Sequence, residues 1–279
     1  MKARVLALLS AAVLFGLAAV PAHASQGEYL ALGDSVAFGY SPFLDHTQAT
    51  NFIGYPDIVA QRLGLQLTNA SCPGETSGGF ESLTNGQDYV CKVYRFVFHF
   101  PLHVSYSTAQ LDFALSFLAA HPNTQLVTMD IGANDVFKLQ AACGGSTTSS
   151  CFLSGLPSVL AGIDANLRFI YGEIRNVAHY QGMIVTLSYY GLTYDAAGQA
   201  GTNALNGPII DATLANGGIV ASGFDAFEAR ALAHGGSSCA ADLLIERPDD
   251  TCDVHPSPAG RNALAGAIVQ AVEKANSGF

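Results

Sequence analysis

The sequence predicts an α/β fold: a three-layer α/β/α sandwich around a central, mostly parallel sheet. Three observations carry this expectation. Strand-like apolar runs alternate with helix-like amphipathic runs, the pattern of a parallel sheet covered on both faces. The length that remains after the N-terminal apolar segment suits one domain of this type, large enough for a substantial core. No internal repeat, low-complexity block or linker divides the chain.

Taken in order, Tyr29 to Leu32 is the first strand and Tyr55 to Leu63 the first helix, with Ile58, Val59 and Leu63 on one side. Leu65 to Asn69 is the second strand. Gly78 to Ser105 is irregular and aromatic, and the alternation of Val93, Phe96 and Phe98 suggests a hairpin buried in the core or against the sheet. Ser107 to Ala120 is a helix with Leu111, Leu115 and Leu118 aligned, and Leu126 to Ile131 is the third strand. Ala141 to Ser154 is rich in Gly, Ser and Thr and reads as a surface loop. Leu156 to His179 is a long amphipathic helix, followed by strands at Met183 to Ser188 and, more weakly, Ile219 to Phe224. The last helix runs from Pro258 to Ala275, with Ser257 as N-cap and Pro258 at the first helical position. This leaves His255 in the loop that enters it.

The N-terminus reads as an export signal. Lys2 and Arg4 precede an apolar run from Val5 to Val20, and Ala22-His23-Ala24 fits a small-x-small cleavage site. The run is shorter than the ~20 residues of a membrane span, which favours a removed peptide, residues 1–24, over an anchor. Residues 25–279 then form the single domain. Loss of Lys2 and Arg4 takes the formal charge from −10 to −12, which argues against a nucleic-acid partner.

An even number of cysteines in an exported chain points to disulfides. The six fall into three neighbouring pairs, each bracketing a loop-like stretch, so the expected bridges are Cys72–Cys91, Cys143–Cys151 and Cys239–Cys252. Cys252-x-x-His255 and His99-x-x-x-His103 have ligand-like spacing. No further Cys-x-x-Cys completes a zinc site, however, and Pro101 opposes the helix that would align the two histidines, so no metal is expected.

Three stretches far apart in the chain carry chemistry: Gly33-Asp34-Ser35, Gly132-Ala133-Asn134-Asp135 and His255-Pro256. Each alone is ordinary turn or cap chemistry. Together they are informative, because Ser35 and Asn134 follow strand-like runs, where open α/β sheets place ligand crevices. A serine is a poor nucleophile at neutral pH; it needs a base for its proton and donors for the oxyanion it creates. Ser35, His255 and Asn134 fit those three needs.

On Leu32-Gly33-Asp34-Ser35, Asn69-Ala70-Ser71-Cys72-Pro73-Gly74-Glu75-Thr76, Gly132-Ala133-Asn134-Asp135 and His255, the sequence resembles the SGNH hydrolases, also called GDSL esterases and lipases. The resemblance runs from about Tyr29 to the C-terminal helix. It implies a flavodoxin-like sandwich, Ser35 as nucleophile and His255 as base. The oxyanion donors it implies are the backbone N–H groups of Ser35 and Gly74 and the side-chain amide of Asn134. It implies acyl transfer to water with no cofactor. Family members usually carry Asp-x-x-His, whereas Cys252 stands three residues before His255. Asp253 is the expected acid, since residues two apart in an extended segment face the same way. Asp250, or a backbone carbonyl that leaves a Ser-His dyad, are the alternatives. Asp34 and Asp135 read as structural acids that tie the Ser and Asn loops.

The expected function is that of a secreted, monomeric esterase or lipase acting on a small-molecule or lipid ester, without a stable membrane span. The aromatic segment beside Gly74, with Tyr89, Tyr94, Phe96, Phe98, Phe100 and Leu102, offers an apolar wall for an acyl chain. A carbohydrate acetylesterase and a secreted binding module that retains the fold are the alternatives.

Overall fold

The structure is a computed structural model that describes residues 27–84 and 90–278. The expected leader, residues 1–24, and Tyr89 lie outside the described residues. Strand β1 (Glu28–Gly33) runs into the short helix α1 (Ser35–Phe38), and α2 (Tyr55–Leu63) leads to β2 (Gln66–Asn69). Next come α3 (Ser77–Glu81), α4 (Val90–Phe96) and α5 (Gln110–Ala120), then β3 (Thr124–Asp130), α6 (Ala133–Ala142) and α7 (Ser150–Asn176). The chain continues through β4 (Met183–Ser188), α8 (Ala196–Ala215), β5 (Ile219–Ser222) and α9 (Gly223–Leu232). It closes with β6 (Leu244–Glu246), β7 (Cys252–Pro256) and α10 (Pro258–Asn276).

The five-stranded sheet is parallel throughout, in the order β2-β1-β3-β4-β5. Its three central strands, β1, β3 and β4, are buried on both faces, with Leu30, Leu32, Val127, Met129, Ile184 and Val185 all at most 1% exposed. Each such aliphatic side chain contributes roughly 1.5–3 kcal/mol by leaving water. Helices α2, α9 and α10 form one outer layer; α3, α5, α6, α7 and α8 form the other. In this order the chain direction of the windings reverses between β1 and β3, so a crevice opens beyond the C-terminal ends of those two strands. Ser35 follows β1 and Asn134 follows β3 at that place.

Three expectations are corrected. Between Gly78 and Ser105 the described residues form helices α3 and α4, not a hairpin. Val93 and Phe96 are three apart and Tyr94 and Phe98 four apart, so the spacing that reads as strand alternation also fits a helical turn, and the Tyr94 and Phe98 rings lie 6.2 Å apart. Helix α7 begins at Ser150, six residues before the expected Leu156, because Ser149 caps it by accepting from Phe152 N; Pro157 is accommodated about two turns into the helix. His255 lies in a strand, β7, which pairs antiparallel with β6. Helices α6, α8 and α9 were not expected. The glycines and Pro208 of α8 make it a weak helix on propensity, and packing against α7 holds it.

Beside the main core sits a second cluster, Phe38, Phe52 and Phe100 with Tyr40, Tyr94 and Leu102 packed against them. The six cysteines form Cys72–Cys91, Cys143–Cys151 and Cys239–Cys252, the pairs that their spacing predicts. No helix among the described residues is long and apolar enough to cross a membrane.

Candidate active site

The turn that presents Ser35 is made by Gly33 and Asp34. Gly33 has φ +131°, and a Cβ there would lie 2.3 Å from the Asp130 carbonyl oxygen, so only glycine fits where the end of β1 lies beside the end of β3. Asp34 caps α1 by accepting from Val36 N at 2.9 Å, and its other oxygen accepts from the Tyr189 hydroxyl at 2.6 Å. Gln110 clamps the turn from below: its Oε1 accepts from Gly33 N at 2.6 Å and its Nε2 donates to Gly33 O at 3.1 Å. Asp130, at the end of β3, is buried beside Asp34 and accepts from the Tyr55 hydroxyl at 2.8 Å. Burial, and then the neighbouring Asp34 charge, push the Asp130 carboxyl well above the usual range; burial raises Asp34 as well, and the hydrogen bonds it receives from Asp130, Tyr189 and Val36 N oppose that rise.

β7 brings the histidine to this turn. His255 Nε2 lies 2.9 Å from Ser35 Oγ, and His255 Nδ1 is hydrogen-bonded to Asp253 Oδ1. The same Asp253 oxygen accepts from His255 N at 3.1 Å, and Asp253 Oδ2 accepts from Arg247 Nη2 at 2.8 Å. Burial pushes the Asp253 carboxyl up, but the hydrogen bonds from His255 and Arg247 outweigh it and hold this carboxyl well below the usual range. Asp250, the alternative acid, is exposed in the β6–β7 turn at φ +62°.

The second and third sequence blocks meet around Asn134. Its Nδ2 donates to Glu75 O at 2.9 Å and, more weakly, to Asp34 Oδ2 at 3.3 Å, so one amide links all three blocks. Gly74 has φ +79°, and a Cβ on it would come within 2.2 Å of Val90 Cγ1. The Cys72–Cys91 bridge fastens this loop to α4, and Cys72 N donates to Gly33 O at 3.0 Å. Asp135 accepts from Ser77 N and Oγ at 2.9 and 2.7 Å, tying α6 to α3.

A cavity of about 720 Å³ opens beside these groups. Ser35, Asn134 and His255 line it together with Val36, Val136, Phe137, Phe152, Leu156 and Leu205, so polar chemistry faces an apolar chamber. Phe137, Leu153 and Leu192 of the same cavity are exposed. Its wall comes from α6, α7 and α8 and includes Thr147 and Thr148, so the stretch that reads as a surface loop in sequence also borders the cleft. The aromatic residues near Gly74 lie on the other side of His255, where the Tyr40 ring approaches the His255 ring at 4.9 Å. A cavity of about 760 Å³ involving Thr124 and Gly182 is at the opposite end of the strands, away from any such cluster.

Comparison with known proteins gives the family and the fold. The family model of the GDSL-like lipase/acylhydrolase family matches residues 31–263. This chain belongs to that family. The sequence matches no curated protein. Among solved structures, phospholipase A1 from Streptomyces albidoflavus is similar with a TM-score of 0.56 at 16% identity, covering 90% of this chain and 99% of the other. An extracellular lipase from Streptomyces rimosus gives 0.56 at 18%, covering 89% and 99%. An acetylxylan esterase from Geobacillus stearothermophilus gives 0.53 at 15%, covering 88% and 94%. At such identities the likeness is one of fold.

Within this GDSL-like chain the structure brings Ser35, Gly74, Asn134, Asp253 and His255 into one region. Sequence reasoning missed Gln110, Tyr189 and Arg247. Tyr189 directly follows β4, so the rule that singles out Ser35 and Asn134 at strand ends could have found it. Gln110 and Arg247 carry no such mark.

Proposed function

We propose that this protein is an exported serine ester hydrolase whose preferred substrates carry an apolar acyl chain. With Nδ1–H donated to Asp253, His255 Nε2 accepts the Ser35 proton as Oγ attacks the ester carbonyl. The backbone N–H groups of Ser35 and Gly74 and the Asn134 amide receive the oxyanion; the long Asn134 bond to Asp34 is the one exchanged for it. The imidazolium then protonates the leaving alcohol, and water repeats the cycle on the acyl-enzyme. The reading rests on one observation: a Ser35–His255 contact of 2.9 Å at the edge of a chamber walled by Val, Leu and Phe side chains.

Export is supported by the three disulfides, which persist in oxidising compartments. The test is a hydrolysis series of p-nitrophenyl esters from acetate to palmitate, with acetylated xylan alongside. The expected outcome is a kcat/KM that rises beyond acetate, because each added methylene buried in the chamber contributes about 0.8 kcal/mol. A rate that peaks at acetate, with acetylated xylan cleaved fastest, would move the assignment to a carbohydrate acetylesterase.

A further inference from the structure

We propose that Arg247 is a positioning residue of this site: it clamps the Asp253 carboxylate so that one oxygen is fixed on the histidine. The proposal rests on the reading of Ser35, His255 and Asp253 as a catalytic triad. The acid stands two residues before the histidine, on the same face of β7, so Asp253 Oδ1 has to serve both the backbone N–H and the ring of His255. So short a connection leaves Oδ2 pointing away from the ring, and an aspartate carboxyl has a broad, two-fold preference about its last torsion. Arg247 Nη2 takes up Oδ2 at 2.8 Å and removes that freedom.

Arg247 is itself held. Its N–H donates to Thr251 O at 2.7 Å, its carbonyl accepts from Asp250 N at 3.1 Å, and the Cys239–Cys252 bridge fixes the start of β7 next to Asp253. The Asp253 side chain is 10% exposed, against 45% for Arg247, so the cation reaches a sheltered carboxylate from the solvent side. The other titratable groups facing the pair are Asp249 in the same turn, Asp34 beneath Ser35, Tyr40 beside the His255 ring, and Tyr190, whose hydroxyl donates to Val254 O at 2.7 Å. Burial pushes Tyr40 up to about 12 and Tyr190 well above the usual phenol range, so both are neutral at working pH. Arg247 is the cation of this set. Its charge opposes protonation of the ring through simple repulsion, and its removal therefore favours imidazolium.

The experiment compares Arg247→Gln and Arg247→Lys with the wild type in the full chain, following kcat, KM and the pH dependence of kcat/KM, with NMR titration of the His255 ring in parallel. For Arg247→Gln we expect kcat to fall ~10- to 100-fold with KM little changed, within the loss that displaced triad partners cause. The acid limb of kcat/KM should move upward by about half a pH unit. Arg247→Lys keeps the charge and loses the planar fork, so the limb stays near its wild-type position while kcat recovers in part. A loss of kcat with no movement of the limb or of the ring titration would mean a merely structural role and overturn the proposal, as would wild-type kcat in Arg247→Gln. The NMR arm reads the clamp without turnover. An upward movement there in a protein that hydrolyses no ester would sustain the clamp and sink the hydrolase reading, whereas full activity of Asp253→Asn would sink the triad on its own.

Discussion

The two halves of the site are built by different means. Ser35 and Asn134 sit at the ends of β1 and β3, where the main core positions them: Gly33 packs on Asp130, Gln110 clamps the turn, and Tyr189 and Tyr55 each donate to one of the buried acids. His255 and Asp253 sit on a two-stranded ribbon outside the five-stranded sheet, and a disulfide and an arginine place them. The Ser35 half takes its geometry from the fold as a whole; the His255 half takes its geometry from local staples. Injury to the core should therefore unfold the protein, while injury to the ribbon should cost rate first.

The largest effect expected from either half is at the nucleophile. Ser35→Ala should lower kcat by about 10⁶, as loss of the nucleophile does in a serine protease, with an unchanged circular dichroism spectrum. In the His255 half Asp253→Asn should cost up to ~10⁴ by favouring the wrong ring tautomer, and Asp250→Asn should cost little, since Asp250 is exposed in the turn. A severe loss at Asp250 with none at Asp253 would reverse the choice of acid.

Asn134→Ala should cost ~10²–10³ in kcat through one missing oxyanion donor. It should also lower stability slightly, because the amide joins Asp34 to the Glu75 loop; a variant of unchanged turnover would remove Asn134 from the oxyanion site.

Removing disulfides separates the halves more finely. Serine replacement of Cys239 and Cys252 should lower stability by ~2–4 kcal/mol and slow every ester, because the strand that carries Asp253 loosens. The same replacement of Cys143 and Cys151 should have a similar thermal cost but alter chain-length preference, since Thr147 and Thr148 wall the cavity. Identical substrate profiles for the two double variants would contradict this division.

The smallest effect concerns pH and stability. Burial, and then the Asp135 charge, push Glu81 up to about 7. A carboxyl raised in the folded state contributes its stability below its ordinary range, and that contribution is lost as pH rises through about 7. Asp253 is shifted the other way, so its contribution is lost only in strong acid. Melting temperature should thus decline between pH 5 and 8 in the wild type and be flatter in Glu81→Gln; equal slopes would show that Glu81 does not titrate in this window.

The parts of this molecule legible in sequence are those governed by local rules. The five strands are short apolar runs with turn signals after them, and Ser35, Asn134 and His255 stand where such runs end or a capped helix begins. α10 announced itself through Ser257 and Pro258. What was hidden depends on tertiary context. α8 holds together despite its glycines and Pro208, α4 is fastened by Cys91, and the apolar chamber arises from α6, α7 and α8, three segments distant in sequence, while the conspicuous aromatics near Phe100 pack largely on one another. Arg247 is one charge in an acidic turn, and its meaning appears only once β6 and β7 pair.

The central claim is that Ser35 is an activated nucleophile. Reaction of the folded protein with an active-site serine phosphonate, followed by peptide mass spectrometry, tests it directly. The account predicts a single adduct on Ser35 that is absent in Ser35→Ala and strongly slowed in His255→Ala. No adduct on folded protein, or an adduct on another serine that persists in Ser35→Ala, would contradict it.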